Sequence, residues 1–312
     1  MIRDPLPQLE GELYITDGGM ETTLIFHHGV DLPHFASFDL LKDDAGRKLL
    51  RDYYASYVSL ARELDVGLLL DTPTWRANHD WGEKLGYSEE ALEQVNRDGV
   101  RLVDELRGDG APPILVSGAI GPRGDGYQAS ARMTTAEATR YHTSQVETLA
   151  SSGADMLSVL TMTYAEEPAG VVQAAAAAGI PISVSFTVET DGRLPSGQTL
   201  RAAIEQVDAE TDGAPLLYMI NCAHPTHFAD AIEVGEPWVE RIGGLRANAS
   251  AKSHAELDES DELDDGDPAE LGEHYAALRP SLPRVTVVGG CCGTDHRHIG
   301  AMYRSWSAAG TA

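Results

Sequence analysis

Short apolar runs, four to seven residues long, alternate along the chain with longer stretches whose apolar positions recur at helical spacing. The runs fall at 13–16, 66–70, 113–117, 156–160 and 180–186, then at a stretch ending on Cys222, and at 242–246 and 284–288. Each predicts a strand. The stretches 47–64, 89–106, 135–151, 167–178 and 199–207 predict helices between them, and Gly118-Ala-Ile-Gly-Pro-Arg-Gly124 reads as a glycine-rich loop after the third strand. Eight such repeats predict an α/β fold, a single closed (β/α)8 barrel of the TIM type spanning 1–312 as one domain. A doubly wound open sheet would show the same alternation. The residues suited to chemistry, however, end the first, sixth and eighth strands, and closure brings those ends together.

The chemistry centres on the chain's three cysteines. Cys291 and Cys292 lie in Val285-Thr-Val-Val-Gly-Gly-Cys-Cys-Gly-Thr294, and Cys222 in Leu216-Leu-Tyr-Met-Ile-Asn-Cys-Ala-His-Pro225. Both stretches place cysteine where a parallel strand ends. A lone buried cysteine is ordinary packing material, and a vicinal pair can close a strained redox disulfide. Three thiolates converging at strand ends instead make an open zinc site, since catalytic zinc takes three protein ligands and keeps a fourth place for water or substrate. Gly289, Gly290 and Gly293 permit the tight backbone that would turn neighbouring sulfurs towards one ion. A soft three-sulfur site suits a thiol substrate, which would enter as a fourth sulfur and lose its proton there.

With Thr16-Asp-Gly-Gly-Met-Glu-Thr22 near the start, Asn221-Cys-Ala-His-Pro225 in the second half and Gly289-Gly-Cys-Cys-Gly-Thr294 near the end, the chain resembles the zinc-dependent homocysteine S-methyltransferases. The matching pieces span nearly the whole chain in the family's order. The resemblance implies that Cys222, Cys291 and Cys292 bind Zn2+ and act through it. It also implies that Asp17 and Gly18 contact the amino acid substrate, and that Thr72, Thr74 and Asn221 lie beside it. Its partners would be a small-molecule thiol acceptor and a methyl donor. S-methylmethionine or S-adenosylmethionine comes first as donor and betaine behind, because one barrel of this length leaves no room for a folate or cobalamin module.

Two departures matter. Thr72-Pro-Thr-Trp75 replaces a family run of Thr-Asn-Thr-aromatic, and Pro73 removes a backbone donor. After the fourth strand, many members of that family carry a Glu-Thr pair whose glutamate helps bind the substrate amino group, and here Leu160-Thr161 stands in its place. Leucine cannot bind ammonium, so either the amino group is recognised differently or the acceptor is another thiol or selenol. Glu166 and Glu167 read as first-turn helix residues. Tyr164 and Trp75 are candidates to line a donor pocket, His224 reads as a loop or cap residue, and the acidic stretch 255–272 as a solvated loop. A non-catalytic zinc or redox-sensing protein and a zinc lyase or hydrolase are the readings from other classes.

Composition narrows the partners. A formal charge of -26 with four lysines argues against nucleic acid and against anionic membrane surfaces. No apolar run reaches the ~20 residues of a membrane helix, and the first ten residues lack the apolar centre of a signal peptide. With few cysteines, this places the expected compartment in the cytoplasm. Oligomeric state has no signature in the sequence.

Overall fold

The computed structural model describes Leu6 and residues 11–108, 111–130, 132–258, 260 and 262–310. The strands are β1 (Tyr14–Thr16), β2 (Gly67–Asp71), β3 (Ile114–Ile120), β4 (Met156–Met162), β5 (Ile182–Phe186), β6 (Tyr218–Asn221), β7 (Ile242–Ala247) and β8 (Val287–Gly290). Each pairs in parallel with the next, and β1 closes on β8 through Tyr14 opposite Val287 and Ile15 opposite Val288. This is the closed barrel that the alternation predicts. The longer helices around it are α1 (Asp44–Leu64), α2 (Glu89–Asp104), α3 (Thr135–Ser151), α4 (Glu166–Ala178), α5 (Leu200–Thr211), α6 (Pro268–Leu278) and α7 (His296–Ala309).

Local chemistry sets the helix bounds. Asp43 accepts from the Gly46 amide at the start of α1, while Thr134 with Glu137 and Asp295 with His298 form capping boxes on α3 and α7. Gly179 ends α4 in the left-handed region. No long helix follows β6 among the described residues. Pro225 starts a short one, Pro225–Phe228, with His224 as its cap, and Gly235 and Pro237 then punctuate the path to β7.

Two apolar layers result from strand alternation. Tyr14, Leu69, Leu115, Met156, Met219 and Val287 fill the barrel interior, and a larger cluster packs strands against helices. Part of the interior is polar but paired: Ser117, Ser158 and Ser183 hydrogen-bond in sequence, and Ser185 donates to Asn221. Several strands run further than their apolar runs suggest, β8 among them as far as Gly290. Gly118, Ala119 and Ile120 continue β3 against β4, so this part of the glycine-rich stretch is strand, and β4 itself reaches Met162. Glycine belongs at 118 because a Cβ there would sit 2.7 Å from Leu157 and 3.1 Å from Leu149.

The α3 and α4 contact offers a test of this packing. A Cβ at Gly170 would lie 2.6 Å from Ala138 Cβ, Thr135 O and Thr139 N. Overpacking of about 1–3 kcal/mol against backbone outweighs the ~1 kcal/mol of helix propensity that alanine adds. Gly170→Ala is therefore expected to lower the urea midpoint, and an unchanged or higher midpoint would contradict the packing described.

Candidate functional site

The three cysteines meet at the C-terminal mouth of the barrel, the end at which barrel enzymes carry their sites. Cys222 follows β6 in the left-handed backbone region (φ +53°) and donates its amide to Arg246 O. Its carbonyl accepts from His254 Nε2 at 2.5 Å and Thr187 Oγ1 at 3.3 Å, which holds this uncommon conformation. Cys291 and Cys292 follow β8. The Cys291 amide donates to Ala247 O, and the Cys292 carbonyl accepts from Ala249. The sulfurs of Cys222 and Cys291 are paired as a disulfide with their Cα atoms 5.3 Å apart, so the close pair is not the vicinal one. All three sulfurs lie within 4.8 Å of one another.

Glycines let the first strand approach this loop. At Gly19 a Cβ would meet Cys291 O at 2.7 Å and Cys292 Cα at 3.1 Å, and at Gly18 it would meet Thr294 O at 2.6 Å. Gly289 and Gly290 lie within β8, where a side chain would collide with Thr16 and Thr294 respectively. Of these five glycines, only Gly293 uses a positive φ (+77°). The Thr16-Asp-Gly-Gly and Gly-Gly-Cys-Cys-Gly stretches are thus two halves of one contact.

Each sulfur has a polar neighbour. Thr161 Oγ1 is 3.9 Å from Cys222, Asn221 Nδ2 is 3.9 Å from Cys291 and Tyr127 Oη is 3.4 Å from Cys292. Thr161 takes a left-handed backbone (φ +63°), held by the hydrogen bond its N–H donates to Asn221 Oδ1.

A cavity of about 440 Å3 opens above the sulfurs. Asp17, Gly18, Thr72, Asn221 and the three cysteines all line it. Thr74 does not; its hydroxyl bonds Thr72 and Ala119 O and so braces the β2 turn. Trp75 lines the cavity and reaches across to Leu160 O, whereas Tyr164 is buried elsewhere with its hydroxyl accepting from the Met133 amide. Leu160 faces the cavity. Glu167 is committed to His142 and the Arg123 amide, and Glu166 to Arg132, so neither replaces the missing carboxylate. The acidic stretch is not simply solvated: Leu257, Ser260, Glu262, Leu263 and Asp264 help form the cavity wall, while Glu259 and Asp261 fall outside the described residues.

The residues that sequence reasoning misses are Asp71 and Arg246. Buried Arg246 on β7 donates from Nη2 to Asp17 Oδ1 at 2.9 Å, from Nη1 to Asp71 Oδ2 and from Nε to Gly290 O at 3.3 Å. It ties β7 to the ends of β1, β2 and β8. No spacing signals this, because the partners are 229 and 175 residues away. Against burial, Asp71 and Asp17 hold the guanidinium above its usual range. Arg76, buried against Trp75 and Trp81, is pushed down to about 10 by desolvation.

A family model for homocysteine S-methyltransferases matches residues 14–305. The chain belongs to that family. The oxidised and metallated forms of homocysteine methyltransferase MmuM from Escherichia coli superpose with TM-scores of 0.73 and 0.72. Both are 20% identical over 94% of this chain, and the matches cover 95% and 96% of theirs. At that identity the likeness is one of fold. A search of curated protein sequences finds no match. Family membership makes this barrel a methyltransferase, and no helix among the described residues is long and apolar enough to cross a membrane.

Burial lifts the Asp17 carboxyl from 3.8 to about 7, with Arg246 opposing and Asp71 adding to the rise. Between roughly pH 4 and pH 7 the native state then holds a proton that the unfolded chain has released, so this group's contribution to stability falls as pH rises through that window. Urea midpoints from pH 5 to 8 are expected to decline for this reason, and Asp17→Asn to flatten the decline. An identical slope in the variant would contradict the assignment.

Proposed function

We propose that the protein methylates the thiol of homocysteine, giving methionine, with Zn2+ held by Cys222, Cys291 and Cys292. The observation carrying this reading is the convergence of three sulfurs, all within 4.8 Å of one another, at the floor of an open cavity. Tetrahedral sulfurs at about 2.3 Å from zinc lie about 3.8 Å apart, so reduced cysteines in these positions fit the ion after small side-chain rotations. The donor set is soft and leaves a fourth place towards the cavity.

Zinc bound there would lower the pKa of an incoming thiol, so that the sulfur reaches the methyl group as a thiolate. The chain's residues supply the setting. Thr161, Asn221 and Tyr127 offer polar hydrogens to the cysteine sulfurs, which steadies negative charge on them. Thr72 and Asp17 present polar groups to the acceptor beside them. Cavity walls hold acceptor and donor in line, so that sulfur attacks the methyl carbon as its bond to the donor heteroatom breaks and the electron pair leaves with that atom.

The walls also favour a cationic donor. Glu21, Asp125, Glu262 and Asp264 bring carboxylates to the cavity, and Trp75, Tyr127, Phe26 and Phe35 bring aromatic faces. A sulfonium gains from both. A polyanionic folate would meet repulsion instead. S-methylmethionine or S-adenosylmethionine is therefore preferred, with betaine behind.

Reduced, zinc-loaded protein given homocysteine and each donor in turn is expected to form methionine, measured by mass spectrometry, fastest with a sulfonium donor. Cys292→Ala should lower the rate by at least about a hundredfold, since even partners behind the ligands are worth 10- to 100-fold in a zinc site. No methionine from wild-type protein with confirmed zinc would remove homocysteine as the acceptor.

A further inference from the structure

Asp17, Asp71 and Arg246 form one buried cluster on the cavity wall. Two carboxylates share one guanidinium, which leaves one negative charge uncompensated within the cluster. Arg246 spends Nη1 on Asp71 Oδ2 and Nη2 on Asp17 Oδ1, and Tyr53 Oη lies 3.2 Å from Asp17 Oδ2. Three of the four carboxylate oxygens therefore have donors. Asp71 Oδ1 has none among the described residues, although Asp71 is only 4% exposed.

A buried carboxylate oxygen without a donor, in a cluster short of one positive charge, is costly unless a cation or donor comes to it. The cavity supplies the route. Asp71 ends β2 on the inward face, in the register of Leu69, and lines the same cavity as the three sulfurs. Oδ1 is covered and only Oδ2 is engaged by Arg246, so an ammonium group reaches Oδ1 through a shift of the carboxylate on that bond. β4 lines the cavity with Leu160 and Thr161, neither of which carries a charge for an ammonium group. We infer that Asp71 is the residue that selects the acceptor for its ammonium group, completing with Asp17 an anionic pair that Arg246 orients and the bound amino group neutralises.

This inference rests on the proposed thiol methylation and adds a residue to it. It places the acceptor among thiols carrying an amino group, and it explains how a site with leucine on β4 recognises one. Arg246 is a positioning residue, since its three bonds all go to the protein. Asp71 touches the substrate.

The test is calorimetric binding of homocysteine and of 4-mercaptobutanoate, the same thiol without the amino group, to reduced, zinc-loaded protein. Wild type should bind homocysteine roughly ten- to a hundredfold more tightly, the worth of a charged hydrogen bond. Asp71→Asn leaves Asp17 and Arg246 as a neutral pair. It should bring the two affinities within about threefold while leaving that for 4-mercaptobutanoate nearly unchanged. Asp71→Ser, which leaves room for water, gives the same reading if the asparagine variant does not fold. Wild type that binds both thiols equally would overturn the inference, as would a folded variant that keeps the preference for homocysteine. Both outcomes leave thiol methylation standing. Failure of wild type to bind either thiol would instead sink the methylation reading and this inference with it.

Discussion

The site depends on how closely the first and last strands approach at the barrel's closing seam. β1 and β8 join through two register pairs, and directly above them Gly18 and Gly19 press against the loop that carries Cys291 and Cys292. No side chain larger than hydrogen fits at either glycine without moving Thr294 O or Cys291 O. The Gly19 amide donates to Thr294 O and the Gly293 amide to Thr22 Oγ1, so the approach is fastened from both sides. Cys222 needs no such closure, since β6 is separated from β8 only by β7. The seam adds the β1 carboxylate, so it decides whether Asp17 and the sulfurs belong to one cavity.

Arg246 carries the second constraint. Burying a guanidinium costs several kcal/mol in desolvation, which only well-placed partners offset. Here the offset comes from two carboxylates on different strands and a carbonyl on a third. Such a cluster contributes little net stability, because its attraction is spent against desolvation. Its effect is positional. Asp17 and Asp71 are held towards the cavity at fixed places, and the carbonyl it engages belongs to Gly290, next to the cysteine pair. The register of the sulfurs and the register of the carboxylates are therefore not independent.

The architecture is legible because strands and helices differ in hydrophobic period, and each of the eight strands overlaps the run that predicts it, β8 by Val287 and Val288 alone. The sulfur cluster was legible because cysteine is scarce and its strand-end positions are distinctive. Where reading failed, composition misled. Gly118 resembles loop material but is strand, made small by Leu157 and Leu149. The stretch 255–272 looks solvated because acids dominate it, yet Leu257 and Leu263 turn its inner side towards the cavity. Tyr164, a donor-pocket candidate from its place after β4, is committed to a backbone amide. Asp71 and Arg246 were invisible for a different reason. An aspartate after an apolar strand reads as a turn residue and an arginine as surface, and only closure across the barrel shows that they neutralise one another.

The cavity's mixture of charge and apolar wall suits the proposed reaction in one further respect. A thiolate attacking an onium methyl begins as two opposite charges and ends with neither, so charge disperses as the transition state forms. Water stabilises the separated charges more than the dispersed ones and would raise the barrier. Leu160, Trp75, Leu257 and Leu263 limit water beside the sulfurs, and the surrounding carboxylates retain the cationic donor without bulk solvation. The chain's charge of -26 extends the same preference outwards, because an acidic surface raises the local concentration of a cation approaching the mouth. Leucine on β4 then has a positive role. It keeps fixed charge off β4, while the cluster on β1, β2 and β7 holds two buried carboxylates at the other strand ends.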